Sequence, residues 1–116
     1  MSGETFLYVI QTTETFESWL RELRSRNRLL SHRVIQRLKR MAMGNLGDVK
    51  NVGGKVSEAR IFSTPALRLY FTVINGVVIV LLCGGDKGDQ QGDIEKAKQL
   101  AATLFEELQE NETQQI

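Results

Sequence analysis

Asn75-Gly76 separates two strongly β-prone runs, Leu67 to Ile74 and Val77 to Cys83. A two-residue connection of this kind needs positive φ at both positions, which asparagine and glycine accept, so the segment predicts a type I′ β-hairpin. Such a hairpin presents two faces and two open edges. A chain of 116 residues holds one hydrophobic core, so the remaining elements must cover this hairpin within a single domain.

The flanking sequence supplies those elements. Thr5 to Gln11 alternates Phe6, Tyr8 and Ile10 with Leu7 and Val9 and reads as a short strand covered on both sides. Thr13 is placed as an N-cap, with Glu14 in the first turn of a helix carrying Phe16, Trp19, Leu20 and Leu23 to about Ser25. Arg26-Asn27-Arg28 is a tight connection into a second helix with Leu30, Val34, Leu38 and Met41 on one face, ended by Gly44. Two helices joined this closely form an antiparallel hairpin. Gly44 to Lys55 holds four glycines and reads as loop or short strand; Val56 to Phe62 reads as a strand stopped by Ser63-Thr64-Pro65. After the β-hairpin, a last helix starts between Asp89 and Asp93 with Ile94, Ala97, Ala101, Leu104 and Leu108 as its buried stripe. The expected order is β-α-α-β-β-β-α: an α+β fold with a small antiparallel-rich sheet, an N-terminal helix hairpin and a C-terminal helix. A single domain over residues 1–109 is expected, with a polar, frayed tail over residues 110–116.

Charge sharpens the functional reading. The formal net charge is +1, but residues 1–17 carry −3, residues 18–68 carry +9, and residues 86–116 carry −5. A basic block of this kind favours a polyanion partner. Within it, Arg33, Arg37, Arg40, Lys50 and Lys55 are candidate nucleic-acid contacts. The single cysteine, Cys83, excludes an internal disulfide and a multi-cysteine zinc site, and reads as inert core. His32 is the lone histidine, so no metal site is expected. Gly53-Gly54-Lys55 lacks the full phosphate-loop spacing and Gly84-Gly85 lacks the dinucleotide fingerprint, so no cofactor is expected either. The N-terminal residues show no basic stretch leading into an apolar one, and the apolar run Leu69 to Cys83 falls short of the roughly 20 residues a membrane span needs. A cytoplasmic protein with no membrane association is expected.

Strand alternation then places possible chemistry. Leu67, Leu69, Phe71 and Val73 share one face of their strand and form the expected core side; Arg68, Tyr70 and Thr72 share the other, expected to be open. Arg60 and Glu58 lie on the preceding strand. Two readings stand side by side: Arg68 pairs with Glu58 across neighbouring strands, or arginines and a tyrosine on an open sheet face hold a phosphate and stack on a base.

Several motifs occur in order: Thr-x-x-Phe-x-x-Trp-Leu at Thr13 to Leu20, Gly-Asn-Leu-Gly-Asp-Val-Lys at Gly44 to Lys50, Val-Ser-Glu-x-Arg-Ile at Val56 to Ile61, and Arg-x-Tyr-Phe at Arg68 to Phe71. Leu-Leu-Cys-Gly-Gly-Asp-Lys at Leu81 to Lys87 and Gln-x-x-Asp-Ile-x-x-Ala at Gln90 to Ala97 complete the set. Together they resemble the HigB-like addiction-module killer branch of the RelE/ParE toxin superfamily, over roughly residues 5–108. The resemblance implies a RelE-like fold and a type II toxin neutralised by a helix-turn-helix antitoxin. It implies either ribosome-dependent mRNA cleavage without metal, which blocks translation, or poisoning of DNA gyrase. A degenerate toxin that only binds its antitoxin is the third alternative. By the resemblance, Arg60 is the basic strand position before the catalytic hairpin, Arg68 the arginine near the scissile phosphate, and Lys87 the basic position after the last strand. An arginine stays protonated, so the general base would be Lys87 or Tyr70 with a lowered pKa. The chain departs from the family in the turn Thr64-Pro65-Ala66-Leu67 before Arg68, which lacks the usual glycines and aromatic residue, and in having no tyrosine or histidine after Tyr70.

Overall fold

The computed structural model describes residues 6–86 and 88–114. Its elements are β1 (Val9–Thr12), α1 (Glu14–Arg26), α2 (Arg28–Ala42), β2 (Val49–Gly53), β3 (Val56–Ile61), β4 (Leu67–Ile74), β5 (Val78–Gly85) and α3 (Gln90–Gln114). The fold is α+β, with one five-stranded mixed sheet and three helices. The sheet order is β1-β5-β4-β3-β2, with β1 parallel to β5 and every other pair antiparallel.

The β4–β5 hairpin turns where Asn75-Gly76 predicts. Asn75 and Gly76 take φ of 53° and 71°, the paired positive values of a type I′ turn. The helix hairpin is equally local in origin. Thr13 caps α1 by accepting from the Phe16 amide at 3.0 Å, and its hydroxyl donates to the Leu82 carbonyl at 2.6 Å, tying the helix start to β5. Asn27 alone joins the two helices; its backbone amide closes α1 onto Leu23, and its side chain caps α2 by accepting from the Leu30 amide at 3.1 Å.

Five expectations change. The glycine-rich stretch contributes β2 as an edge strand paired with β3, so the order is β-α-α-β-β-β-β-α rather than one strand fewer. The strand expected over Thr5 to Gln11 is seen as β1 at Val9–Thr12; Thr5 lies outside the described residues. The last helix runs on through Gln114, beyond residue 109 where a frayed tail was expected. Most consequential, the face carrying Arg68, Tyr70 and Thr72 is not open. α3 packs over it, burying Tyr70 and Thr72 with Val56, Val80 and Leu82 against Ala97 and Ala101. These alanines sit four residues apart on one helix face and let α3 approach the strands closely. On the opposite face, α1 and α2 bury Phe16, Leu23, Val34 and Met41 against Leu67, Leu69, Phe71, Ile79 and Leu81. Val73, expected in that core, is 38% exposed near the hairpin tip, beyond a register shift between Tyr70 and Phe71.

Among the described residues, no helix is long and apolar enough to cross a membrane.

Candidate functional site

The antiparallel register of β3 and β4 sets Arg60 opposite Arg68, and Glu58 opposite Tyr70. Two like charges directly across a sheet repel, so each guanidinium needs a counterweight. Arg60 finds one in Asp48, at 3.1 Å from Nε to Oδ2, in a pair that is partly open to solvent. Arg68 is held differently: its Nη1 donates to the Asp86 carbonyl at 2.7 Å, and among the described residues no carboxylate lies within ion-pair distance of it. The result is two arginines paired in register whose guanidinium groups are held by neighbours on opposite sides, Asp48 before β2 and Asp86 after β5, with Arg68 lacking a carboxylate partner among the described residues. A tetrahedral oxyanion such as a phosphodiester would be recognised by such a pair through bidentate, charge-assisted hydrogen bonds.

The cross-strand pairing of Arg68 with Glu58 does not form. Glu58 is fully buried, and its Oε2 accepts from the Tyr70 hydroxyl at 3.1 Å and from Gln90 Nε2 at 2.8 Å. Its Oε1 is buried with no hydrogen-bond partner among the described residues. Gln90 opens α3, so this carboxylate ties the sheet to the start of the helix that covers it. Tyr70 is correspondingly not the base that the sequence left open. Burial, reinforced by the neighbouring Glu58 charge, pushes its phenol well above the ordinary value, and it serves as a neutral hydrogen-bond donor.

Arg37, expected to contact nucleic acid, is instead a buried structural clamp. It donates to the carbonyls of Leu46 at 3.0 Å, Arg60 at 2.8 Å and Asp48 at 3.1 Å. Burial, with help from Arg40, lowers its pKa, partly opposed by Asp48. Gly47 makes room for it: a Cβ there would lie 2.7 Å from Nη2. Arg37 thus fixes the backbone of both members of the Arg60–Asp48 pair. Lys55 is also displaced from the site. It turns the chain from β2 into β3 with φ of 63°, and its ammonium lies 4.5 Å from the Phe105 ring centroid. That places it at the opposite end of β3 from Arg60, roughly 16 Å away along an extended strand. Lys50 lies exposed on the edge strand, across from Glu58 in register, and Arg33 and Arg40 are exposed on α2. Lys87 lies outside the described residues.

Two participants were missed in the sequence, and a third, Glu58, was read with Arg68 rather than with Tyr70 and Gln90 as its partner. Asp48 and Gln90 lie in segments read as loop or helix start, and only tertiary pairing gives them a role. Glu58 was legible by period: it shares its strand face with Val56 and Arg60, a polar residue between an apolar neighbour and a site residue. Around the site, burial raises the Asp93 carboxyl, aided by Asp89 and opposed mainly by Lys96. Burial likewise lifts the Cys83 thiol to about 11, in keeping with an inert core cysteine. His32 is exposed and only approaches Gln36, at 3.5 Å. Among the described residues, no three His, Cys, Asp or Glu side chains gather as a metal site would require.

No model of a known protein family matches the sequence. An uncharacterized protein of Haemophilus influenzae (strain ATCC 51907 / DSM 11121 / KW20 / Rd) is 44% identical over 95 residues, spanning 82% of this chain and 94% of that protein. The agreement extends over nearly the full length of the relative, and the chain belongs to the same family as this Haemophilus influenzae protein.

Proposed function

We propose that the chain is a RelE-like ribonuclease toxin of a bacterial type II toxin–antitoxin pair, acting in the cytoplasm on mRNA held by the ribosome. The observation that carries this reading is the facing of Arg60 and Arg68 across β3 and β4, with no carboxylate of the described residues on Arg68. The ordered motifs from Thr13 to Ala97 supply the family context, and the basic block over residues 18–68 supplies attraction for a polyanion.

The chemistry follows from RNA itself. The 2′-hydroxyl attacks the adjacent phosphorus, loses its proton to a base, and the bond from phosphorus to the 5′-oxygen breaks as that oxygen gains a proton. Negative charge grows on the phosphorane oxygens, where two fixed guanidinium groups stabilise it most. Arg60 and Arg68 hold the phosphate and that charge. Neither they nor the neutral Tyr70 phenol can take the proton. That role falls to Lys87, next in sequence after the Asp86 whose carbonyl anchors Arg68, or to a group of the ribosome. Neutralisation by a helix-turn-helix antitoxin belongs to the same reading.

Pulse-labelling after induction in a bacterial host tests it. Protein synthesis is expected to stop first, with DNA synthesis continuing. Arrest of DNA synthesis together with inhibition of gyrase supercoiling by the purified chain would replace this reading with a gyrase poison. Normal growth alongside tight antitoxin binding would leave only a binding module.

A further inference from the structure

Immediately after β3, Phe62 stands 74% exposed at the mouth of a cleft of about 390 Å³ between α2 and the strand end. The cleft is lined by Arg33, Arg37, Arg40 and Arg60 against one carboxylate, Asp48. Two of these cations are committed: Arg37 to three backbone carbonyls and Arg60 to Asp48. Among the described residues, Arg33 reaches only the Phe62 carbonyl, at 3.4 Å, and Arg40 is exposed with no carboxylate in ion-pair range. The Arg60 guanidinium lies 5.9 Å from the Phe62 ring centroid. Arg60 and Phe62 are two residues apart, so they are separated by about 7 Å of extended chain.

We infer that Phe62, flanked by Arg33 and Arg40, is a stacking subsite for one base of single-stranded RNA, with the two arginines on the adjoining phosphates. The inference rests on the reading of Arg60 and Arg68 as the phosphate site and extends the RNA path from that pair along α2. An aromatic face accepts any base, because every base has a π-face, and cations beside it follow the backbone. An acidic peptide would use the arginines but has no need of an exposed ring. The buried Arg37 serves this subsite indirectly, by fixing the backbone of Asp48 and Arg60.

Fluorescence anisotropy with the full chain and a labelled ten-nucleotide uridine RNA at low salt tests the subsite, alongside the same RNA made abasic. The wild-type chain is expected to bind the base-containing RNA about tenfold to a hundredfold more tightly than the abasic one. Phe62→Ala should erase that difference and Phe62→Tyr restore it. Arg33→Ala with Arg40→Ala should weaken both RNAs and flatten the salt dependence. Equal binding of base-containing and abasic RNA by the wild-type chain, unchanged binding by Phe62→Ala, or preference for a poly-glutamate peptide over RNA would overturn the subsite. So would absence of RNA binding at low salt. The cleavage reading is judged separately, by cutting of mRNA on the ribosome and its loss in Arg68→Ala.

Discussion

On the α1/α2 side of the sheet, the side chains that the strands bury are apolar, Leu67, Leu69, Phe71, Ile79 and Leu81 against Phe16, Leu23, Val34 and Met41, and the buried polar residues there, Ser31 and Arg37, belong to α2. On the α3 side, Glu58, Tyr70 and Thr72 are buried among Val56, Val80 and Leu82. The same strands thus build one face for stability and another that carries polar groups down to the Arg60/Arg68 end. Burying a carboxylate and a phenol is costly unless they satisfy each other, and here they do so only in part, since Glu58 Oε1 has no partner among the described residues. The lesson is that the second face is organised for positioning, with a helix clamped over it through Gln90.

The largest effect belongs to the apolar face: Phe16→Ala should cost about 3–5 kcal/mol in urea unfolding, through lost burial and the cavity left behind. Arg37→Ala comes next, at about 3 kcal/mol, because it leaves three backbone carbonyls without their charged donor. Arg33→Ala and Arg40→Ala should stay within about 0.5 kcal/mol of the parent in thermal unfolding, as exposed substitutions do. A large loss there would mean that all three arginines are structural.

On the α3 face, Tyr70→Phe should cost about 1–3 kcal/mol, since it removes one of two donors to a buried carboxylate. Its cleavage rate should follow the folded fraction. A collapse of activity at full stability would restore Tyr70 as a catalytic group. The smallest effect concerns Asp93. Its folded carboxyl is raised above the ordinary 3.8, so the folded chain holds that proton more tightly than the unfolded one. Stability from this group is therefore greatest at low pH and falls as pH rises from about 3.8 through the raised value. Asp93→Asn should lack that fall in a pH series of unfolding curves; an identical series in both chains would contradict it.

Local signals made much of the fold legible. Asn75-Gly76, the Thr13 cap and the periodicity of Phe16 to Leu23 act within a few residues, and each appears where the sequence puts it. What escaped was set by distance. Alternation sorts β4 into two faces but says nothing of what covers each, and α3 lies twenty residues downstream of Tyr70. Arg33, Arg37 and Arg40 have the same composition and neighbouring positions on one helix. Only the middle one meets the carbonyls of Leu46, Asp48 and Arg60; its place three residues after Val34 and four before Met41, inside the buried stripe, is the periodic signal that sets it apart. Arg60 and Arg68 were singled out by strand alternation and by the resemblance, and their alignment across the register became visible only in the structure.

Primer extension on an mRNA translated in a cell-free system decides whether Arg60 and Arg68 hold a scissile phosphate. Cuts in phase with codons are expected when the wild-type chain is added, and their loss with Arg68→Ala or Arg60→Ala at unchanged folding. Cuts that persist in both variants, or translation that continues with intact mRNA at saturating wild-type chain, would contradict that role.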